Sequence, residues 1–190
     1  VTSAPVPDAL PEVPVMTGSL EAANRVPRRV PVPVLRPGLA RCRRTGVELD
    51  QSARIVVMAD QGGVADALES RLATLGATVL RVGGELDAAA LAGRLTDFAS
   101  DGPVTGVYWL PALDAEGPVD ALDLEGWHEA LRARVKLLHT TMRTLVDSAP
   151  FLVTATAMGG RHGYDPAGAL SPLGGAVTGF AKAYGRESAD

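Results

Sequence analysis

From Arg54 onward, short apolar runs alternate with amphipathic stretches along the chain. The first run, Ile55 to Ala59, is rich in β-branched residues and has the length of a buried strand. After a turn, Leu68, Leu72 and Leu75 recur at the spacing that places side chains on one face of a helix. The two patterns together predict a strand, a glycine-containing turn and a helix.

The same alternation recurs three more times along the chain. It predicts three further strand–helix pairs, with strands at 77–82, 105–110 and 151–156 and helices at 87–98, from Asp123 to Pro150 and at 172–187. Continuously apolar strands joined by helices are typical of a parallel sheet that is covered on both faces. The pattern therefore predicts an α/β fold built on a doubly wound parallel sheet.

The N-terminal region is rich in proline and lacks this alternation. Four prolines fall within the first 14 residues, and we interpret residues 1–25 as an extended interdomain linker. Between Val30 and Leu35, valines alternate with Pro31 and Pro33. Because proline removes the N–H that a sheet ladder needs, a strand here is expected only at a sheet edge.

Length and composition agree with one domain that has a real core. The chain has 190 residues, of which 46% are hydrophobic and 21% charged, and a mean hydropathy of +0.12. Its net charge of -4 argues against a protein that binds nucleic acid. The single cysteine, Cys42, excludes an internal disulfide and a cysteine-rich zinc site. We therefore expect a cytoplasmic protein, and no apolar stretch of the chain is long enough to predict a membrane span.

The turn after the first strand is a candidate nucleotide-binding loop. Its sequence, Asp60-Gln61-Gly62-Gly63, lacks the spaced glycines that let a backbone approach a pyrophosphate. Asp60 also adds a negative charge where a phosphate would lie, which opposes binding. These residues favour a simple tight turn, and whether Gly62 and Gly63 retain any affinity for a nucleotide stays open.

Acidic residues after the second strand offer a second candidate contact. Glu85 and Asp87 lie where a ribose partner would be expected in a dinucleotide-binding fold. Asp87 is equally well placed to cap the helix that begins next to it. The sequence leaves both interpretations of Asp87 open.

The last helix carries the most specific pattern in the chain. The sequence GFAKAYGRE at 179–187 resembles the helix that follows the active site in short-chain dehydrogenases and reductases. In that register, the family's catalytic tyrosine falls on Leu170 and its lysine on Gly174, and its serine falls near Thr156 and Ala157. Leucine and glycine cannot transfer protons. The resemblance thus implies a dehydrogenase-like fold that has lost the catalytic pair.

Other polar residues do not replace that pair convincingly. Tyr164 and Lys182 are too far apart in sequence to share a helix turn. We interpret His162, Tyr164 and Asp165 as members of a hydrogen-bonded surface loop. The two remaining histidines, His128 and His139, lie on the long predicted helix without metal-ligand spacing.

The order of elements narrows the resemblance to one kind of domain. The segments VPVPVLRP, ADQGG, LATLGATVLRV, GVYWLPALD and the block from 151 to 190 resemble the structural, non-catalytic subdomain of the ketoreductase of type I polyketide synthases. The last block is most similar to the polyunsaturated fatty acid and enediyne-type synthases. The resemblance covers about residues 26–190 and implies a truncated Rossmann-like sheet.

The resemblance also implies function and partners. It predicts no catalytic, cofactor-binding or metal-binding residues in this chain, which would itself be inactive, and an NADPH-dependent catalytic subdomain beyond Asp190. Expected partners are that subdomain, neighbouring synthase domains including a carrier protein, and a second copy of the chain, with no nucleic acid or membrane. The alternative is a free-standing, atypical NADP-dependent reductase that uses Thr156, Tyr164 and Lys182.

Overall fold

Four parallel strands form a sheet in the order β2-β1-β3-β4. The structure is a computed structural model that describes residues 40, 44–117, 122–158 and 171–187. The strands span Arg54–Met58 (β1), Thr78–Val82 (β2), Gly106–Trp109 (β3) and Phe151–Thr154 (β4). The predicted linker, the proline-rich edge strand and Cys42 lie outside the described residues.

In the part of the chain that the structure describes, five α-helices accompany the strands. They span Val64–Thr74 (α1), Ala88–Ser100 (α2), Leu124–Leu131 (α3), Leu137–Thr144 (α4) and Gly174–Glu187 (α5). A π-helical segment, Arg132–Lys136, joins α3 to α4, and short 3-10 turns lie at Pro111–Leu113 and Val146–Ser148. No helix among the described residues is both long and apolar enough to cross a membrane.

The position of β1 inside the sheet explains why its sequence is apolar at every residue and does not alternate with polar residues. Val56 pairs with Leu80 of β2 on one side and with Val107 of β3 on the other. Residues Ile55 to Met58 are completely buried. A strand flanked by two others and covered on both faces has no side chain in water, so every position favours an apolar residue.

Helices cover both faces of the sheet. On one face, Ala65 and Leu72 of α1 pack with Ile55 and Val57. On the other face, residues of α2, α4 and α5 pack with Val56 and its neighbours. This arrangement confirms the predicted doubly wound, Rossmann-like parallel sheet.

The long predicted helix differs in detail from the expected regular one. Asp123 caps it as expected, since its carboxylate accepts a hydrogen bond from the N–H of Gly126 at 2.7 Å. Five residues in the middle, Arg132–Lys136, adopt the wider π geometry. The last helix begins at Gly174 rather than 172, because residues 171–173 form a turn that leads into it.

Candidate functional site

A cleft of about 760 Å³ lies at the carboxyl ends of β1, β2 and β3. Open parallel sheets bind ligands at this edge, which makes the cleft the candidate site. Its lining carries equal numbers of basic and acidic side chains, namely Arg81, Arg94, Arg132 and Arg134, and Asp60, Glu85, Asp114 and Glu129. The formal charges of this lining cancel, so what the cleft can bind depends on which groups are already paired.

Asp60 occupies the N-terminus of α1 with its own carboxylate. The carboxylate accepts a hydrogen bond from the N–H of Val64 at 3.0 Å and one from the N–H of Ala65 at 2.7 Å. The first N–H groups of a helix have no partner within the helix and form a natural binding site for a phosphate. In this protein, two of them are bound by the carboxylate of Asp60.

The same contacts set the charge state of Asp60, which is only 7% exposed. Burial, the largest single influence, favours the neutral acid, but the main-chain hydrogen bonds, led by those from Ala65 and Val64, together outweigh it and hold the pKa of Asp60 below its ordinary value. Asp60 is therefore a carboxylate at neutral pH, and it places a full negative charge at the helix N-terminus.

The two glycines of the turn have different explanations. Gly63 has φ +88, a left-handed conformation that favours glycine. A Cβ on Gly62 would lie 3.1 Å from Oδ2 of Asp60, so a larger residue would press on the carboxylate. A further bond, from the N–H of Gln61 to Oδ1 of Asp114 at 2.8 Å, ties the turn to the loop after β3. The structure therefore supports the interpretation of 60–63 as a tight turn.

The loop after β2 is also bonded internally. Arg132 donates to the carbonyls of Gly84 and Leu86, each at 2.8 Å, and forms a two-point ion pair with Glu129. That ion pair lowers the pKa of Glu129. Asp87 caps α2 through the N–H of Ala90 at 2.8 Å, which accounts for Asp87 by the capping interpretation.

At the end of β4, the positions implied for catalytic side chains are packed against each other. A Cβ on Gly174 would lie 3.1 Å from the Cβ of Thr156 and 3.1 Å from the Cγ of Met158. The space that a side chain at 174 would enter is therefore filled by Thr156 and Met158. Thr156 itself is half-buried in this contact.

Two residues of the alternative reductase site, Thr156 and Lys182, are described by the structure. Lys182 is exposed on α5, eight residues beyond Gly174 and so about 12 Å further along the helix axis. Gly174, at the start of α5, lies against Thr156, whereas Lys182 lies two turns further along the helix. Tyr164, Leu170 and the loop residues His162 and Asp165 lie outside the described residues.

The structure offers no metal centre in the part of the chain that it describes. His128 and His139 are exposed on α3 and α4. In the described ranges, no three His, Cys, Asp or Glu side chains are grouped so that they could hold a metal ion.

One buried pair was not found from the sequence. Glu116, whose side chain is 1% exposed, lies 2.6 Å from Nε of Arg134, whose side chain is 10% exposed. The two residues lie in a loop and in the π-helical segment, and neither belongs to a recognisable motif. Only the folded chain brings them together.

The sequence matches no family model and no curated protein, whereas many solved structures have a similar fold. Among solved structures, a double mutant of a Serratia marcescens short-chain dehydrogenase/reductase is 17% identical, with a TM-score of 0.61 over 74% of this chain and 70% of that one.

Two further structures are similar. A short-chain dehydrogenase/reductase (glucose/ribitol dehydrogenase) from Brucella melitensis is 14% identical, with a TM-score of 0.54 over 74% of this chain and 72% of that one. A gluconate 5-dehydrogenase from Burkholderia cenocepacia, solved with NADP and tartrate, is 12% identical, with a TM-score of 0.52 over 73% of this chain and 68% of that one. At these identities the likeness shows a shared fold and no more.

Proposed function

We propose that this chain is the structural, non-catalytic subdomain of a β-ketoacyl reductase in a type I polyketide or polyunsaturated fatty acid synthase. In this role it has no reaction of its own and binds no cofactor. It supports a following catalytic subdomain that reduces a β-keto thioester with NADPH. Its other partners are neighbouring synthase domains, including a carrier protein, in the cytoplasm.

The carboxylate of Asp60 is the observation that carries the proposal. A dinucleotide bound in the usual place would put its pyrophosphate at the N–H groups of Val64 and Ala65. Those groups already donate to Asp60. A phosphate would have to break both bonds and then lie beside the displaced negative charge. The turn therefore disfavours the cofactor that the fold would otherwise accommodate.

The packing at the end of β4 supports the same conclusion. Proton transfer to a carbonyl needs an acid whose pKa is tuned by its surroundings. Gly174, where the resemblance implies a lysine, has no side chain and is closed in by Thr156 and Met158. A sheet of this fold with glycine at 174 fits a supporting role.

A free-standing NADP-dependent reductase is the second candidate. The cleft at the carboxyl edge favours it, and the similar gluconate 5-dehydrogenase was solved with NADP. This second candidate requires NADP to bind beside Asp60 and requires a catalytic site built from Thr156, Tyr164 and Lys182. Lys182 lies about 12 Å along α5 from Gly174, the residue packed against Thr156, and this separation weighs against it.

Calorimetry with NADPH separates the two candidates. The proposal expects no binding to the chain at micromolar concentrations, with the gluconate 5-dehydrogenase as a positive control. A dissociation constant in the micromolar range would overturn it. A second assay follows NADPH oxidation with a model β-ketoacyl thioester, where we expect turnover only from a longer piece of the parent polypeptide. Turnover by the 190-residue chain alone would establish the second candidate.

A further inference from the structure

The buried pair of Glu116 and Arg134 connects three parts of the carboxyl edge. Besides its ion pair with Arg134, Glu116 accepts a hydrogen bond from the hydroxyl of Ser171 at 3.0 Å and one from the N–H of Leu173 at 3.1 Å. The N–H of Arg134 Nε does not point along the 2.6 Å contact, so the two side chains meet as an ion pair. One carboxylate thus joins the loop after β3, the π-helical segment and the turn before α5.

The buried carboxylate of Glu116 is stable only while its three partners surround it. A charge that is almost fully removed from water is costly unless a counter-charge and hydrogen-bond donors surround it. Ser171 and Leu173 supply the donors and Arg134 the charge, and no single one of these elements could satisfy Glu116 alone. The three elements are therefore held together by the requirements of one side chain.

Other bonds reinforce the same junction. Arg134 also donates through Nη2 to the carbonyl of Asp114 at 3.1 Å, in the loop that carries Glu116. The N–H of Ala157 donates to the carbonyl of Ala112 at 3.0 Å, and the N–H of Ser171 donates to the carbonyl of Ala157 at 3.2 Å. The ends of β3 and β4 and the start of α5 are thus linked by main-chain bonds as well.

We infer that Glu116 is a latch that holds the first turn of α5 closed over the ends of β3 and β4. With the latch formed, Gly174 stays against Thr156 and Met158, and no ligand can enter between α5 and β4. With the latch broken, the first turn of α5 separates from this edge while the sheet stays folded. The inference rests on these contacts and holds whether or not the proposed synthase partner exists.

Native-state hydrogen exchange of backbone amides tests the latch. Glu116→Gln removes the charge and Arg134→Met removes its partner, and each should speed exchange at Leu173 and at Val177 in α5 at least tenfold. Exchange at Val57 in β1 should stay unchanged, because local opening leaves the sheet intact. Glu129→Gln, which breaks the exposed ion pair between Glu129 of α3 and Arg132, is the matched control and should leave exchange in α5 unchanged.

Two further variants keep the test decisive. In the double variant, exchange at Leu173 should be no faster than in either single variant, because each single change leaves the other group buried and unpaired. Ser171→Ala keeps the ion pair and removes one donor, so it should speed exchange in α5 by a smaller factor even if the charge variants fold poorly. Unchanged exchange at Leu173 in these variants, or equal acceleration at Leu173 and Val57, would overturn the inference.

Discussion

The indole N–H of Trp109, at the end of β3, donates a 3.0 Å hydrogen bond to the main-chain carbonyl of Arg134. Trp109 is completely buried, and the bond joins the sheet to the π-helical segment between α3 and α4. A π turn adds a residue to the helical ladder and displaces local carbonyls from their usual partners. The bond therefore supplies a partner to a helix carbonyl just where the ladder is irregular.

We expect Trp109→Phe to destabilise the protein by about 2–4 kcal/mol, through the lost hydrogen bond and the smaller ring. The free energy of unfolding from urea titration measures this loss. The second tryptophan provides the control, because Trp127 is only half-buried. Trp127→Phe should cost clearly less, and equal losses at the two positions would show that the bond to Arg134 contributes little.

Asp60 should contribute more to stability than an ordinary helix cap. Asp60→Ala leaves two N–H groups at the start of α1 without an acceptor, and we expect a loss of about 2 kcal/mol. Asp87→Ala removes one exposed bond to α2 and should cost about 1 kcal/mol. Chemical denaturation of both variants gives the comparison. A smaller loss at Asp60 than at Asp87 would contradict the central role given to the Asp60 carboxylate.

The stabilisation by Asp60 should depend on pH in a defined direction. Its pKa is lowered in the folded protein, so the carboxylate stabilises the fold above its unfolded pKa of about 3.9. The contribution is lost as the pH falls through the lower, folded pKa. The difference in unfolding free energy between the unsubstituted protein and Asp60→Asn should therefore be constant from neutral pH down to about pH 4 and shrink below it. A difference that grows with acidity would refute the assignment.

The sequence predicts the sheet and its helices well because burial leaves a local pattern. The sequence predicts a buried strand at Ile55 to Met58, and the structure confirms it. Asp87 and Asp123 cap the helices that follow them. Each of these signals lies within a few residues of the structure that it predicts. The sequence also predicts that the charge of Asp60 opposes a phosphate, and this stays a prediction. The hydrogen bonds from Val64 and Ala65 to its carboxylate have no signal in the sequence.

The contacts of the cleft and of the junction beside it are less predictable because they join residues that are far apart in sequence. Glu116 meets Ser171 and Leu173 across more than fifty residues of sequence, and no spacing rule connects them. The apolar residues of the π-helical segment keep the spacing of a regular α-helix, so nothing in the sequence distinguishes this segment from its neighbours. Arg134 in this segment contacts Trp109 of β3 and Glu116 of the loop that follows β3, and such contacts are visible only in the folded chain.

Replacing either of two glycines by alanine should change the free energy of unfolding, with opposite signs at the two positions. A Cβ on Gly106 in β3 would lie 2.1 Å from the ring of Phe151 in β4, so Gly106→Ala should destabilise the protein by about 2–3 kcal/mol. Gly93, inside α2, has no atom within 4 Å of its missing Cβ. Gly93→Ala should therefore stabilise the protein by about 0.5–1 kcal/mol, the usual gain for alanine within a helix.

A second change separates the ring contact from other effects at Gly106. The half-buried ring of Phe151 also meets Tyr108 edge-on at 5.6 Å, so it cannot move freely out of the way. Phe151→Leu removes the ring, and combining it with Gly106→Ala should cost less than the sum of the two single losses. Thermal and urea unfolding of the four proteins measure this coupling. Additive losses would mean that the strand itself, rather than the ring lying over it, requires glycine at 106.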